Sequence, residues 1–339
     1  MKCRFCYDLD HLNLSKGFSL RELKTRMSFL KSAGVNTVDL TGGEPTVRAD
    51  VIGIIRLLKE DFGIKNICII TNGFKLSDKS YMEAVVNAGV NEFLFSIHGA
   101  SSGTHDSLVH VTGSFDRVVQ ALDHASRLGV RSRVNTTVTA KNYDKVNNIA
   151  AIVSRYKIEN YNLIFYNPVL DAGKRADEMA VKYSVAAPFL KDVIDQYARH
   201  FDCLHVKYIP FCFMEGYEKY VVNLLQTTYV PYEWDFNIRG QVRRGLCLYW
   251  LAAVAGLLFR MDLRSLGGRN LDEVVHDSFL LWQESMDKHK SQRCGPCRHS
   301  LICAGIWNGY YRIFNDNELK PVSGEKIFNP CHFMTKGLV

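Results

Sequence analysis

Between residues 35 and 166, short apolar or β-branched runs alternate with amphipathic helical patterns, and no other feature constrains the fold of this chain as strongly. Strands are expected at 35–40, 66–71, 92–97, 131–139 and 161–166, with helices at 51–58, 77–88, 115–128 and 146–156 between them. A helix at 19–33 precedes the series; Ser19 and Glu22 form a capping box at its start, and Gly34 ends it. Strands joined through helices require right-handed crossovers, so the expected class is α/β with a parallel sheet and helices outside it. The alternation stops near Pro168, and a domain boundary is expected between 171 and 182.

Composition narrows the class further. With 47% hydrophobic and 23% charged residues in 339, the chain can bury a full-sized core, which excludes a disordered or low-complexity protein. The net charge of +7 comes from Lys and Arg spread among acidic neighbours, so no nucleic-acid footprint is indicated. The longest apolar stretch, 246–259, is broken by Gly256 and falls short of the ~20 residues of a membrane-spanning helix. No secretory signal is visible, and the expected compartment is the cytoplasm. Ten cysteines in that setting point to metal binding or catalysis rather than to disulfides.

Cys3 and Cys6 form a Cys-Arg-Phe-Cys pair ahead of the first strand, a spacing that can clasp one metal centre. The first strand runs into Thr41-Gly42-Gly43-Glu44-Pro45, at the strand end where α/β folds place their ligands. Glycines there let backbone approach a ligand closely, and a carboxylate can accept hydrogen bonds from an ammonium. An ordinary strand-to-helix turn with Pro45 opening the helix is the plainer reading of the same residues.

Taken together, the two motifs resemble the radical S-adenosylmethionine (radical SAM) superfamily over roughly residues 3–166. The resemblance implies a partial (β/α)6, TIM-like barrel with a 4Fe-4S cluster held by a Cys-x3-Cys-x2-Cys loop. One iron of that cluster binds S-adenosyl-L-methionine, and reduction yields a 5'-deoxyadenosyl radical that abstracts a substrate hydrogen. Residue by residue, Cys3 and Cys6 match the second and third cluster ligands and Phe5 the aromatic between them. Gly42, Gly43 and Glu44 match the motif for the cofactor's amino group. Ser96 and Asn135, at later strand ends, match positions lining the cofactor and substrate pocket; satisfying a strand end is their simpler role. The first cluster cysteine would lie four positions before Cys3, upstream of Met1, as would the first barrel strand. The expectation is therefore an N-terminally truncated chain or a late start.

Cys294, Cys297 and Cys303 place three thiols within ten residues, in a segment whose Gly and Pro permit a metal knuckle. The group resembles the auxiliary-cluster extension of radical SAM enzymes, a SPASM or twitch domain, and the stretch 267–282 resembles the segment before it. One auxiliary 4Fe-4S cluster is implied, its remaining ligand being Cys212 or Cys247 by preference, with Cys331 a further candidate. A zinc site completed by His299 or Cys331 is the alternative. The division expected is a radical SAM core at 1–170, a connecting region at 171–245 and a small irregular, cysteine-rich auxiliary domain at 246–339.

Cys68 and Cys203 read as buried small residues, and Tyr232, Trp234, Trp250 and Trp307 as core or cluster shielding. His98, His105 and His110 fall in the loop after the third strand, where a pocket-facing imidazole could move a proton; Asp106 and Arg117 carry no assignment. The function implied by the resemblance is an oxidoreductase-type radical SAM enzyme acting on a peptide or a small-molecule precursor, with flavodoxin or ferredoxin as electron donor. The competing class is a degenerate, non-catalytic iron-sulfur or zinc-binding protein.

Overall fold

A computed structural model describes residues 3–6, 18–32, 35–168, 173–227, 230 and 287–334. Helix α1 (Leu20–Ser32) precedes β1 (Thr37–Leu40), and the alternation then continues through α2 (Val51–Arg56), β2 (Asn66–Thr71), α3 (Lys79–Asn87) and β3 (Glu92–Ser96). Next come α4 (Ser102–Val109), α5 (Ser114–Arg127), β4 (Arg131–Val138), α6 (Val146–Val153) and β5 (Asn160–Phe165). After α7 (Gly173–Met179) and α8 (Tyr183–Tyr197), strands β6 (Cys203–Lys207) and β7 (Val221–Val222) follow. The strands stand in sequence order in one curled sheet, a partial barrel. Neighbours β1 to β5 pair in parallel, as do β6 and β7. Contacts divide the chain into two units: Met1–Tyr166 with Ala172–Val181 and Pro188–His205, and Asn167–Asp171 with Lys182–Ala187 and Val206–Val339.

Period-two alternation gives the sheet of the first unit two different faces. Ile67, Ile69, Phe93, Phe95, Val134 and Leu163 occupy one face and are fully buried, forming the core. On the other face, register sets Asp39, Cys68, Glu92 and Arg131 side by side. Arg133, two residues further along β4, pairs with Glu92 and lies 3.8 Å from Asp39, and Arg131 meets Glu92 at 3.0 Å. Cys68 is buried as expected, but its sulfur accepts from Arg133 at 3.5 Å, so the residue belongs to an ionic cluster rather than to the apolar core.

The predicted strands agree with the observed ones to within two residues at each end. The capping box of α1 is present: Glu22 N–H donates to Ser19 Oγ at 3.3 Å, and Ser19 N–H to Glu22 Oε2 at 2.7 Å. The expected loop after β3 contains a helix instead. Ser101 caps α4, and Gly99 lies so close that an added Cβ would sit 2.4 Å from the His105 nitrogen. Asp106 of α4 then caps α5, accepting from Gly113 N–H at 2.6 Å and Phe115 N–H at 2.9 Å.

Candidate functional site

The loop leaving β1 is tied down by Glu44. Its carboxylate accepts from Thr46 N–H at 3.1 Å, Thr46 Oγ at 2.7 Å, Thr71 Oγ at 2.8 Å and Asn72 N–H at 2.8 Å. These four donors join the ends of β1 and β2; three of them fall on Oε1 and only Asn72 N–H on Oε2, so Oε2 keeps acceptor capacity for an incoming donor. Gly42 has φ +143°, a Cβ placed on it would meet nothing, and both Gly42 and Gly43 are exposed.

The turn 3–6 belongs to the same unit. Cys6 N–H donates to Cys3 O at 3.1 Å, Arg4 N–H donates to Leu108 O at 2.9 Å, and Arg4 Nε donates to His110 Nε2 at 2.7 Å. Burial, reinforced by the Cys6 thiol, pushes the Cys3 thiol up to about 11, and Glu44 adds to the rise. Cys3 thus lies within electrostatic reach of Glu44, as the spacing alone could not show.

Phe5 packs edge-on against His98, with ring centroids 4.6 Å apart. His98 and His105 are buried rather than solvated in a loop, and their rings stack at 5.9 Å. Thr137 N–H donates to His98 Nδ1 at 3.1 Å, which leaves the ring proton on Nε2. Burial and then the neighbouring His105 hold His98 well below the ordinary histidine range, and burial lowers His105 to about 4. Both imidazoles are neutral at physiological pH.

Ser96, at the end of β3, and Asn135, midway along β4, are register partners. Asn135 is matched in turn with Asn162 of β5, whose Nδ2 donates to Asn135 Oδ1 at 2.9 Å. That bond leaves the Asn135 amide nitrogen available to a ligand. Sequence reasoning missed Asn162; its signal was the pair of asparagines, Asn160 and Asn162, at alternate positions of an otherwise apolar strand. The Oδ1 of Asn162 is buried with no hydrogen-bond partner among the described residues.

Cys203 is buried in the first unit, and the second unit holds Cys212, Cys294, Cys297, Cys303 and Cys331. Burial first, then the nearby Cys303, push the Cys212 thiol up to about 12, with Cys294 and Cys297 contributing. Cys294 is likewise raised by burial and then by Cys303 and Cys297. Val322 N–H donates to Cys297 Sγ at 3.4 Å, and the backbone at Lys320 and at Gly305 and Phe211 works against the burial that raises the Cys212 and Cys303 thiols. Such donors stabilise thiolates, so the donor set fits a metal centre. No three His, Cys, Asp or Glu side chains among the described residues converge on one point as ligands of a single ion do.

His299 is buried against Phe211 and Phe333, with centroids at 5.3 and 5.5 Å. Burial lowers its pKa, with Glu218 and Glu215 acting against that and Arg298 and His332 with it. Cys331 is half-buried, its N–H donating to Asn329 Oδ1 at 2.9 Å. Cys247, the stretch 267–282, Tyr232, Trp234 and Trp250 lie outside the described residues. No described helix is long and apolar enough to cross a membrane.

The family model of the radical SAM superfamily matches residues 1–151. A "Probable GTP 3',8-cyclase" of Saccharolobus islandicus is 32% identical over 173 residues, which cover 50% of this chain and 54% of that protein. One of Sulfurisphaera tokodaii is 29% identical over 195 residues, covering 57% and 61%. The chain spans about half the length of the curated relatives it matches. Among solved structures, Streptococcus suis SuiB bound to precursor peptide SuiA aligns with TM-score 0.48 at 21% identity, over 63% of this chain and 48% of that one.

Proposed function

We propose that the chain, whose residues 1–151 match the radical SAM superfamily model, binds S-adenosyl-L-methionine at the β1 end of the sheet and initiates hydrogen abstraction from a peptide or small-molecule substrate. The observation that carries this reading is the Cys3–Cys6 pair lying within electrostatic reach of Glu44, beside the exposed Gly42-Gly43 backbone. A 4Fe-4S cluster and its bound cofactor supply the reductive cleavage that produces the radical. Cys3 and Cys6 are ligands to that cluster, with Phe5 held between them against His98.

Glu44 shapes the loop so that the carbonyls of Gly42 and Gly43 receive the cofactor's ammonium. Ser96 Oγ and Asn135 Nδ2 bind its polar oxygens, the amide oriented by Asn162. The other thiol group, Cys212, Cys294, Cys297 and Cys303, holds an auxiliary cluster. The N–H of Val322 donating to Cys297 Sγ and the influence of Cys303, Cys294 and Cys297 on the Cys212 thiol support this. A tetrahedral zinc site needs sulfurs about 3.8 Å apart, given zinc-sulfur bonds of ~2.3 Å, and the larger core of a 4Fe-4S cluster suits thiols that do not converge. Cys212 is taken as the remaining ligand because Cys303, Cys294 and Cys297 act on its thiol.

Anaerobic reconstitution with iron and sulfide tests the two assignments. Cys6→Ala is expected to lose the iron signal that responds to S-adenosyl-L-methionine, and Cys297→Ala the signal that does not. A Cys6→Ala protein whose iron still responds to the cofactor would overturn the assignment.

A further inference from the structure

Residues 319–327 form a strap over the Cys294–Cys297 turn. Arg298 N–H donates to Val322 O at 2.8 Å and Ile327 N–H to Arg298 O at 3.0 Å, fastening the strap to the residue that follows the turn. Within the strap, Val322 N–H donates to Cys297 Sγ at 3.4 Å. Lys326 lies in the middle of this arrangement. Its Nζ donates to Cys297 O at 2.8 Å, to Ser300 Oγ at 2.7 Å and to Gly295 O. All three ammonium protons are thereby spent on one turn, the turn that carries two of the four thiols.

A lysine that uses its full donor set on three acceptors of one tight turn is ordered, unlike the mobile surface lysines that contribute little. Holding the turn closed would need only neutral donors. A fixed positive charge additionally offsets the negative charge that gathers when four thiols become thiolates in a partly buried site. We infer that Lys326 is a positioning and charge-compensating residue of the thiolate site, setting both how tightly the turn holds its metal and the potential at which that metal takes an electron. The inference rests on the metal reading of Cys212, Cys294, Cys297 and Cys303.

The test uses the full chain reconstituted with iron and sulfide, comparing the unaltered protein with Lys326→Met, Lys326→Gln and Lys326→Arg. Iron loss to a chelator and the midpoint potential of the auxiliary cluster are read in each. Removing a positive charge disfavours the reduced form. Lys326→Met is expected to lose iron about tenfold faster, the usual scale for a lost partner behind the ligands. Its midpoint is expected to fall by a similar factor, about 59 mV for a one-electron couple.

Lys326→Gln retains an N–H donor for the turn and gives the same direction of shift even if the Met variant does not fold. Lys326→Arg keeps the charge and holds the midpoint near that of the unaltered protein, while its bulkier head still loosens iron. A Met or Gln variant with an intact cluster and an unmoved midpoint overturns the inference. An Arg variant whose midpoint falls as far as that of Met does so too. An unaltered chain that takes up no auxiliary cluster overturns the underlying metal reading, a result visible before any variant is compared.

Discussion

Replacing Glu44 separates a ligand-contacting carboxylate from one that builds the loop. Four donors converge on it, two from backbone and two from the hydroxyls of buried Thr46 and Thr71. At roughly 1 kcal/mol net per hydrogen bond, Glu44→Ala would cost about 4 kcal/mol, and water entering the half-buried loop should reduce that to about 2–3 kcal/mol. Glu44→Gln keeps the oxygen that serves Thr46 and Thr71 but turns an NH2 toward Asn72 N–H, so about 1–2 kcal/mol is expected.

Urea unfolding of the full chain measures both variants. Binding of S-adenosylhomocysteine, which shares the cofactor's amino acid end but cannot be cleaved, reports the site. Affinity should fall with the loop in the Ala variant and remain nearly unchanged in the Gln variant. A Gln variant as stable as the unaltered protein but unable to bind would refute the reasoning, because it would mean that the carboxylate charge meets the ligand directly.

Stability should decline as pH falls from about 6.5 to about 4. His105 remains neutral in the fold down to about 4 while the unfolded chain takes up its proton near 6.5, a difference of ~3 kcal/mol from this residue at the acid end. His98 shifts in the same direction, and urea midpoints against pH should flatten in His105→Gln. Gly99→Ala should destabilise by about 2–3 kcal/mol, since its Cβ would meet the backbone of His105 at 2.4 Å rather than a side chain that can move; a neutral substitution would show that α4 can shift. Cys212→Ala should lose the auxiliary iron and Cys331→Ala should keep it, as measured by iron content per chain, and the reverse would reassign the fourth ligand.

What the sequence revealed was what is local in it. Strands β2 to β5 were legible because each joins a buried face of Ile, Phe, Val or Leu to clear turn signals, and Gly42-Gly43-Glu44 and Cys294/Cys297/Cys303 because their spacing is itself the signal. Helix α4 was not, since Ser-Gly-Thr-His-Asp-Ser-Leu-Val has no apolar stripe; it is held by the close approach at Gly99 and the cap at Ser101. Strands β6 and β7 lie beyond the regular alternation and are only 5 and 2 residues long. Glu44 was read as a group for a ligand, and only the positions of Thr46, Thr71 and Asn72 show that the same carboxylate also ties the ends of β1 and β2 together. The role of Asn162 and the link between Cys212 and the knuckle both depend on contacts between segments distant in sequence, and no spacing rule encodes them.

The central claim is tested most directly by release of 5'-deoxyadenosine on reduction with S-adenosyl-L-methionine, after anaerobic reconstitution. The protein is compared with its Cys6→Ala variant. Release that disappears with Cys6→Ala is the predicted result. No release, with iron still held at Cys294, Cys297 and Cys303, would contradict the account and leave a metal-binding protein without radical chemistry.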